Sequence, residues 1–160
     1  MLPRGRGPKQ MCRMEIQFKS FEELTNNELY QILRLRSAVF VVEQDCVYQD
    51  MDNKDQKAIH LLGMEQDRLV GYTRIFKPGD YFENAAIGRV AVDSSQRMYG
   101  HGKQIMLASI AWIKERFPDS GIEISAQSHL IPFYSNLGFK GMGEEYLEDG
   151  IPHLRMVITT

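Results

Sequence analysis

The most informative part of the sequence is Val90-Ala-Val-Asp-Ser-Ser-Gln-Arg-Met-Tyr-Gly-His-Gly-Lys103, in which a strand ends, a polar loop follows and a helix begins. The strand is predicted over residues 85–92, and the helix continues to about Phe117 because Pro118 stops it. Glycines allow a ligand to approach the backbone, and the free N–H groups of a helix start attract anions. The stretch therefore predicts a phosphate or diphosphate site, although its two glycines taken alone are equally compatible with a tight turn.

Two common phosphate-binding motifs do not fit this spacing. A Walker A loop requires glycine where Arg97 stands, and Ser or Thr after Lys103, where the chain has Gln104. A dinucleotide-binding fingerprint requires glycine at the position of Ile105. Neither a P-loop nucleotide site nor a dinucleotide site is therefore expected here.

Hydrophobic patterning on both sides of this unit predicts one α+β domain with a mixed sheet. Thr25 and Glu28 have the spacing of a capping box, and the helix that they begin is expected to reach about Ala38 or beyond. A short helix is expected over residues 130–137, and Asp149-Gly150 is a strong hairpin signal. Strands are predicted over residues 14–18, 58–64, 68–76, 85–92, 121–126, 139–147 and 151–158.

Composition and charge exclude several classes of protein. The chain has 160 residues, 43% hydrophobic and 25% charged, as in one soluble domain. Residues 1–13 hold four basic residues and no acid, and their glycines and prolines predict a disordered leader rather than a tether to an anionic partner. Residues 14–160 hold 15 basic and 21 acidic residues, a formal charge of −6, which argues against nucleic-acid binding.

The compartment is expected to be the cytoplasm. Cys12 and Cys46 match no disulfide framework or metal-binding spacing, and the sequence shows no secretory signal. No apolar run reaches the length of a membrane span, so no membrane association is expected.

Several segments resemble one family of enzymes. Arg97-Met-Tyr-Gly-His-Gly102 matches the Arg/Gln-x-x-Gly-x-Gly/Ala loop by which GNAT N-acetyltransferases bind acetyl-coenzyme A (acetyl-CoA). The run from Gln127 to Phe139 resembles the second signature of that family, a polar residue followed by a short helix and Phe-Tyr-x-x-x-Gly-Phe. Five segments resemble the ElaA-like branch of this family: residues 35–44, 48–52, 87–90, 126–129 and 148–153. The resemblance covers residues 14–158 and implies a mostly antiparallel sheet that splays at the cofactor site and is flanked by helices.

The resemblance also implies where acetyl-CoA binds. The pantetheine arm would pair with the backbone of Val90 and Val92, and an N–H group near Ala91 or Val92 would stabilise charge on the thioester oxygen. Gln127, which stands where the family usually has Asn, and His129 would lie beside the cofactor. The diphosphate would rest on the loop and helix start, at Arg97, Met98, Tyr99, Gly100, His101, Gly102 and Lys103.

Three residues are candidates for the chemistry. By the resemblance, Tyr134 corresponds to the general acid that protonates the leaving thiolate, although a Tyr on a short helix can also be a half-buried structural aromatic. Glu43 and His153 are candidates for the base that removes a proton from the attacking amine, and the choice between them stays open. The four histidines form no metal-binding motif, so no metal is expected.

The predicted activity is acetyl transfer from acetyl-CoA to a primary amine of a small molecule or a protein, by direct attack in a ternary complex. The acidic loop with Glu43, Asp45, Asp50 and Asp52 is expected to favour a cationic acceptor. The alternative is a non-catalytic acyl-CoA sensor or partner-binding module on the same fold. Dimers are common in the family, so a homodimer is one assembly that the resemblance implies.

Overall fold

The computed structural model describes residues 13–160, which form one mixed sheet with helices on its two faces. The predicted leader, apart from Arg13, lies outside the described residues, as does Cys12. Within residues 13–160 the strand order is β1-β2-β3-β4-β5-β7-β6, and β4–β5 is the parallel pair. The strands are β1 (Glu15–Ser20), β2 (Ile59–Glu65), β3 (Arg68–Phe76), β4 (Ala85–Val92), β5 (Ile122–Gln127), β6 (Lys140–Glu148) and β7 (Ile151–Ile158). The predicted α+β class with a mostly antiparallel sheet is confirmed.

The first helix, α1 (Asn26–Arg36), begins with the predicted capping box. The backbone N–H of Glu28 donates to Thr25 Oγ1 at 3.1 Å, and the N–H of Thr25 donates to Glu28 Oε1 at 2.9 Å. The chain then continues as a π-helical segment, Ser37–Glu43. This segment carries the helix well past Ala38 and brings Glu43 to the region of the candidate site.

Helices α1 and α2 (His101–Arg116) pack on opposite faces of the sheet. Ile32 and Leu35 of α1 share a buried cluster with Tyr72 of β3. Met106 and Ile110 of α2 share another cluster with Ile75, which lies three residues further along the same strand and therefore on the other face. Among residues 13–160, no helix is both long enough and apolar enough to span a membrane.

The sheet splays between β4 and β5, as the family resemblance implies. These two strands pair only at Ala85 with Ile122 and at Ala86 with Glu123. Further along β4 its pairing with β3 is interrupted by a bulge, and Arg89 in the bulge has a left-handed backbone with φ +49°. The bulge and the short β4–β5 pairing leave a gap in the sheet.

Candidate active site

A cavity of about 640 Å³ opens where β4 and β5 separate. Its wall comes from the π-helical segment, β4, the start of α2, β5, the short helix α3 (Ile131–Ser135) and the β6–β7 hairpin. The structure brings together on this wall the predicted residues Glu43, Val90, Val92, Arg97, Gly102, Gln127, His129, Tyr134 and His153.

The start of α2 has free backbone N–H groups beside a glycine with a left-handed conformation. Gly100 has φ +72°, a left-handed conformation that favours glycine. The N–H of Gln104 donates to the Gly100 carbonyl at 3.2 Å, so the preceding N–H groups of the helix have no partner within it. A Cβ atom at Gly102 would lie 3.7 Å from Phe133 and 3.8 Å from Val92, within the cavity wall. The glycine therefore keeps this part of the wall open, as close approach of a diphosphate requires.

The other predicted cofactor positions do not line the cavity: Ala91, Met98, Tyr99, Gly100, His101 and Lys103. The Ala91 side chain is buried in the cluster beneath α1. The His101 ring is also buried, and its Nε2 lies 3.0 Å from Glu65 Oε1. The side chains of Met98, Tyr99 and Lys103, by contrast, are exposed at the surface outside the cavity.

Two pairs of side chains connect the end of the π-helical segment with predicted cofactor positions. Arg97 donates to both oxygens of Glu43, with Nη2 2.6 Å from Oε2. This hydrogen bond holds the pKa of Glu43 below its usual value, so the carboxylate is a weaker base than a free Glu. Gln44 and Gln127 exchange amide hydrogen bonds of 3.2 and 3.3 Å. No role for Gln44 was predicted from the sequence, although it ends the segment 35–44 that resembles the ElaA-like branch.

Tyr134 presents a hydroxyl that no other described residue engages. Its side chain is 7% exposed, and its ring packs edge-on against Phe133 and Phe139. Within residues 13–160 the hydroxyl makes no hydrogen bond, and the residue lines the cavity. Burial raises the pKa of Tyr134 to about 12, so the phenol stays protonated at neutral pH. The group is therefore placed to donate a proton or hydrogen bond to a bound ligand.

His153 is fixed in one tautomer by its surroundings. Its Nδ1 lies 2.7 Å from the Ile151 carbonyl, which can only accept a hydrogen bond, so Nδ1 carries the proton. Its Nε2 lies 3.2 Å from Glu148 Oε2, an oxygen that also accepts hydrogen bonds, so a proton gained at Nε2 would form a charge-assisted hydrogen bond with this carboxylate. Tyr146 stacks on the imidazole, with ring centroids 6.1 Å apart. His153 is thus an imidazole of fixed orientation on the cavity wall, beside a carboxylate that stabilises a proton on Nε2.

The acidic loop is not a patch of free carboxylates. Asp50 and Asp52 of this loop, together with Asp55, alternate with arginines in a closed circuit of ion pairs with N–O distances of 2.7–3.6 Å, which we call the charge ring. Asp45 is exposed and is not part of this ring. The members of the charge ring, in order, are Arg36, Asp55, Arg74, Asp52, Arg89 and Asp50.

The charge ring corrects one expectation from the sequence. Burial alone would raise the pKa of Asp52, but its hydrogen bonds with Arg74 outweigh burial and lower the pKa to about 2. Asp50 is bonded to Arg36 and Arg89. Asp50 and Asp52 are therefore not free to attract a cationic acceptor as the sequence suggested, because guanidinium groups already neutralise both carboxylates.

The cavity is also lined by Arg89, Tyr48 and Glu148, for which the sequence predicts no function. Arg89 had a usable signal, since it is the single charged residue in the otherwise uncharged run Ala85–Val92. Tyr48 and Glu148 lie in segments that resemble the ElaA-like branch, but nothing local distinguishes them from exposed loop residues. Within residues 13–160, no three His, Cys, Asp or Glu side chains are grouped so that they could hold a metal ion.

The fold and the cavity are those of an acyl-CoA-dependent acyltransferase. Residues 22–160 match the family model described as acetyltransferase (GNAT) domain, and the chain belongs to this family. It is 44% identical over 136 residues to Protein ElaA of Escherichia coli K12, covering 84% of this chain and 89% of that protein. The crystal structure of E. coli ElaA superposes with a TM-score of 0.84 at 42% identity, covering 90% and 98% of the two chains.

Two further solved structures are similar. An acyl-CoA N-acyltransferase from Pseudomonas aeruginosa has a TM-score of 0.85 at 37% identity, with 90% of this chain and 98% of that chain covered. A Bacillus subtilis acetyltransferase in complex with CoA has a TM-score of 0.67 at 22% identity, covering 92% and 99%, and shares the fold.

Proposed function

We propose that residues 14–160 form one domain that transfers an acetyl group from acetyl-CoA to a primary amine, in the cytoplasm, by direct attack while both substrates are bound. The observation that carries the proposal is that one cavity joins the start of α2, with its free N–H groups, to the buried, protonated hydroxyl of Tyr134. A phosphate-bearing cofactor and an acid for its leaving group are the two requirements of acyl transfer from CoA.

The residues of the cavity suit each part of acetyl-CoA, which supplies the acetyl thioester. The helix start at Gly100 and Gly102 offers backbone N–H groups to the diphosphate. The unpaired part of β4, with Val90 and Val92 on the wall, offers strand hydrogen bonds to the pantetheine arm. A backbone N–H near Ala91 would stabilise the negative charge that develops on the thioester oxygen.

Tyr134 would assist the departure of sulfur. A thiol has a pKa of about 8.5, well below the raised pKa of Tyr134, so the phenol would stabilise the leaving thiolate mainly as a hydrogen-bond donor. The base takes the proton that the attacking nitrogen loses, and a proton that Tyr134 passes to sulfur is replaced from solvent, which restores the phenol.

His153 has the stronger support of the two base candidates. Its Nε2 lies 3.2 Å from Glu148 Oε2 on the cavity wall, so a proton taken from the amine would be stabilised by this half-exposed carboxylate, which can pass it on toward solvent. Glu43, by contrast, is bonded to Arg97, which lowers its pKa and its basicity. With Asp50 and Asp52 neutralised, the wall carboxylates of Glu148 and Asp149 are the groups that would face a cationic acceptor.

Thiol release tests the proposed function. The full chain is mixed with acetyl-CoA and a panel of small amines and lysine-containing peptides, and free CoA and acetylated amine are both measured. Transfer to at least one amine is expected. Binding of CoA without thiol release across the whole panel would favour the non-catalytic sensor instead.

A further inference from the structure

Arg89 connects strand β4, where the cofactor is proposed to bind, with Asp50 of the acidic loop. Its backbone lies in the β4 bulge, directly before Val90, with φ +49°. Its guanidinium donates from Nε to Asp50 Oδ1 at 2.7 Å and from Nη2 to the Asp50 carbonyl at 3.1 Å. A bulky residue seldom adopts this backbone conformation, which the surroundings must hold in place.

The same guanidinium also organises an aromatic side chain of the loop. The Tyr48 hydroxyl donates to Asp50 Oδ1 at 3.1 Å, and Arg89 Cζ lies 5.9 Å from the centre of the Tyr48 ring. Tyr48 and Arg89 both line the cavity. The position of this aromatic wall is therefore linked through Asp50 to the position of the β4 bulge.

We propose that Arg89 is a positioning residue. It holds the loop that carries Tyr48 and Asp50 at a fixed distance from the part of β4 where the thioester of acetyl-CoA would lie. The inference rests on the proposed function and extends it. Through the bulge Arg89 orients the backbone that follows it, and through Asp50 it holds Tyr48. The amine and the thioester are thereby kept at the distance and angle that the attack requires.

The charge ring assigns this task to Arg89 rather than to its other arginines. Arg36 and Arg74 are completely buried, whereas the Arg89 side chain is 21% exposed on the cavity side. Without Arg89, Asp50 keeps its bond to Arg36 and Asp52 keeps two bonds to Arg74. Removal of Arg89 therefore leaves each carboxylate paired, and the fold does not depend on it in the way it depends on the other two.

Arg89→Gly tests the proposal because glycine suits φ +49° and removes the side chain without straining the bulge. Acetyl transfer is measured with the best amine of the panel, CoA affinity by calorimetry, and stability by thermal unfolding. We expect kcat to fall about 10- to 100-fold while the Kd for CoA changes less than about threefold. Guanidinium chloride, below the concentration that unfolds the variant, should restore part of the rate.

Two further variants keep the test decisive. Lys19→Met removes an ion pair of 2.7 Å with Glu28, away from the cavity wall, and should leave kcat unchanged. Arg89→Lys keeps the charge but has a single donor nitrogen, so it should lose less rate than Arg89→Gly, and it replaces that variant if glycine prevents folding.

Three results would overturn the proposal. Wild-type kcat in the Arg89 variants would show that Arg89 positions nothing. Loss of CoA affinity in step with kcat would show a structural role only. A wild-type protein that binds CoA but acetylates no amine would overturn the proposed function and this inference with it.

Discussion

Replacement of Tyr134 by Phe removes one oxygen atom from the cavity and is the most direct test of the acid. The hydroxyl makes no hydrogen bond within residues 13–160, so its loss breaks no contact of the folded chain. The rings that hold the side chain, Phe133 and Phe139, keep their contacts with the Phe variant. We therefore expect the free energy of unfolding to stay within about 1 kcal/mol of wild type.

The rate should change far more than the stability. A positioned general acid contributes about 10²- to 10⁴-fold, and water can replace part of this contribution in an open cavity. We expect kcat to fall about 100-fold, which corresponds to about 2.7 kcal/mol of transition-state stabilisation. Because the pKa of Tyr134 is raised to about 12, the phenol stays protonated and the ratio of the two rates should be constant between about pH 7 and pH 10.

The assay follows thiol release from acetyl-CoA with the best amine of the panel, and calorimetry gives the CoA affinity of each protein. Tyr30→Phe is the matched control, because it removes the same hydroxyl group from a tyrosine that is 71% exposed on α1, outside the cavity. A Tyr134→Phe protein with wild-type kcat would refute the acid role. A large loss of CoA affinity would refute the reasoning as well, because it would mean that the hydroxyl binds cofactor.

Three other predictions test different parts of the site. Gly102→Val places a side chain beside Phe133 in the cavity wall, so we expect CoA to bind at least about tenfold more weakly in calorimetry. The free energy of unfolding should fall by about 1 kcal/mol or less. Unchanged CoA affinity would show that the start of α2 is not part of the site. Glu43 and the diphosphate of CoA would compete for Arg97, so Glu43→Gln should tighten CoA binding about two- to fivefold. Binding of pantetheine, which lacks the diphosphate, should not change. Equal or weaker CoA binding would contradict this competition. The folded-state pKa of Asp52, about 2, lies below its ordinary value of 3.8, so the stability that its carboxylate contributes is present above about pH 4 and is lost as the pH falls toward 2. In urea unfolding, Asp52→Asn should lose less free energy of unfolding than the wild type over that pH window. Parallel curves for the two proteins would contradict the ion pairing.

Local patterns were sufficient for the elements that carry the site. The strands Arg68–Phe76, Ala85–Val92 and Ile151–Ile158 have the bounds predicted from apolar runs between turn residues. The capping box at Thr25 and the Asp149-Gly150 hairpin also formed, because both depend on residues within four positions of one another. The residue types and spacing of these short segments specify their backbone conformations directly.

The extent of the first helix could not be read in the same way. Apolar spacing predicts where a helix packs, but the change to a π-helical segment at Ser37 alters the period. That change places Glu43 and Gln44 opposite Arg97 and Gln127, which are 54 and 83 residues further along the chain. Such pairings depend on how the sheet is assembled, and no local pattern contains that information.

Nearby residues of the chain therefore specify the order of the elements, the glycine loop before α2 and the tyrosine of the second signature. The electrostatics of the cavity, by contrast, depend on contacts that form only in the folded chain. Asp50 and Asp52 look like free acids in the sequence, yet they pair with Arg36, Arg74 and Arg89, which are 14 to 39 residues away. The charge that a carboxylate presents to a ligand depends on its buried partners, and only the folded chain brings those partners together.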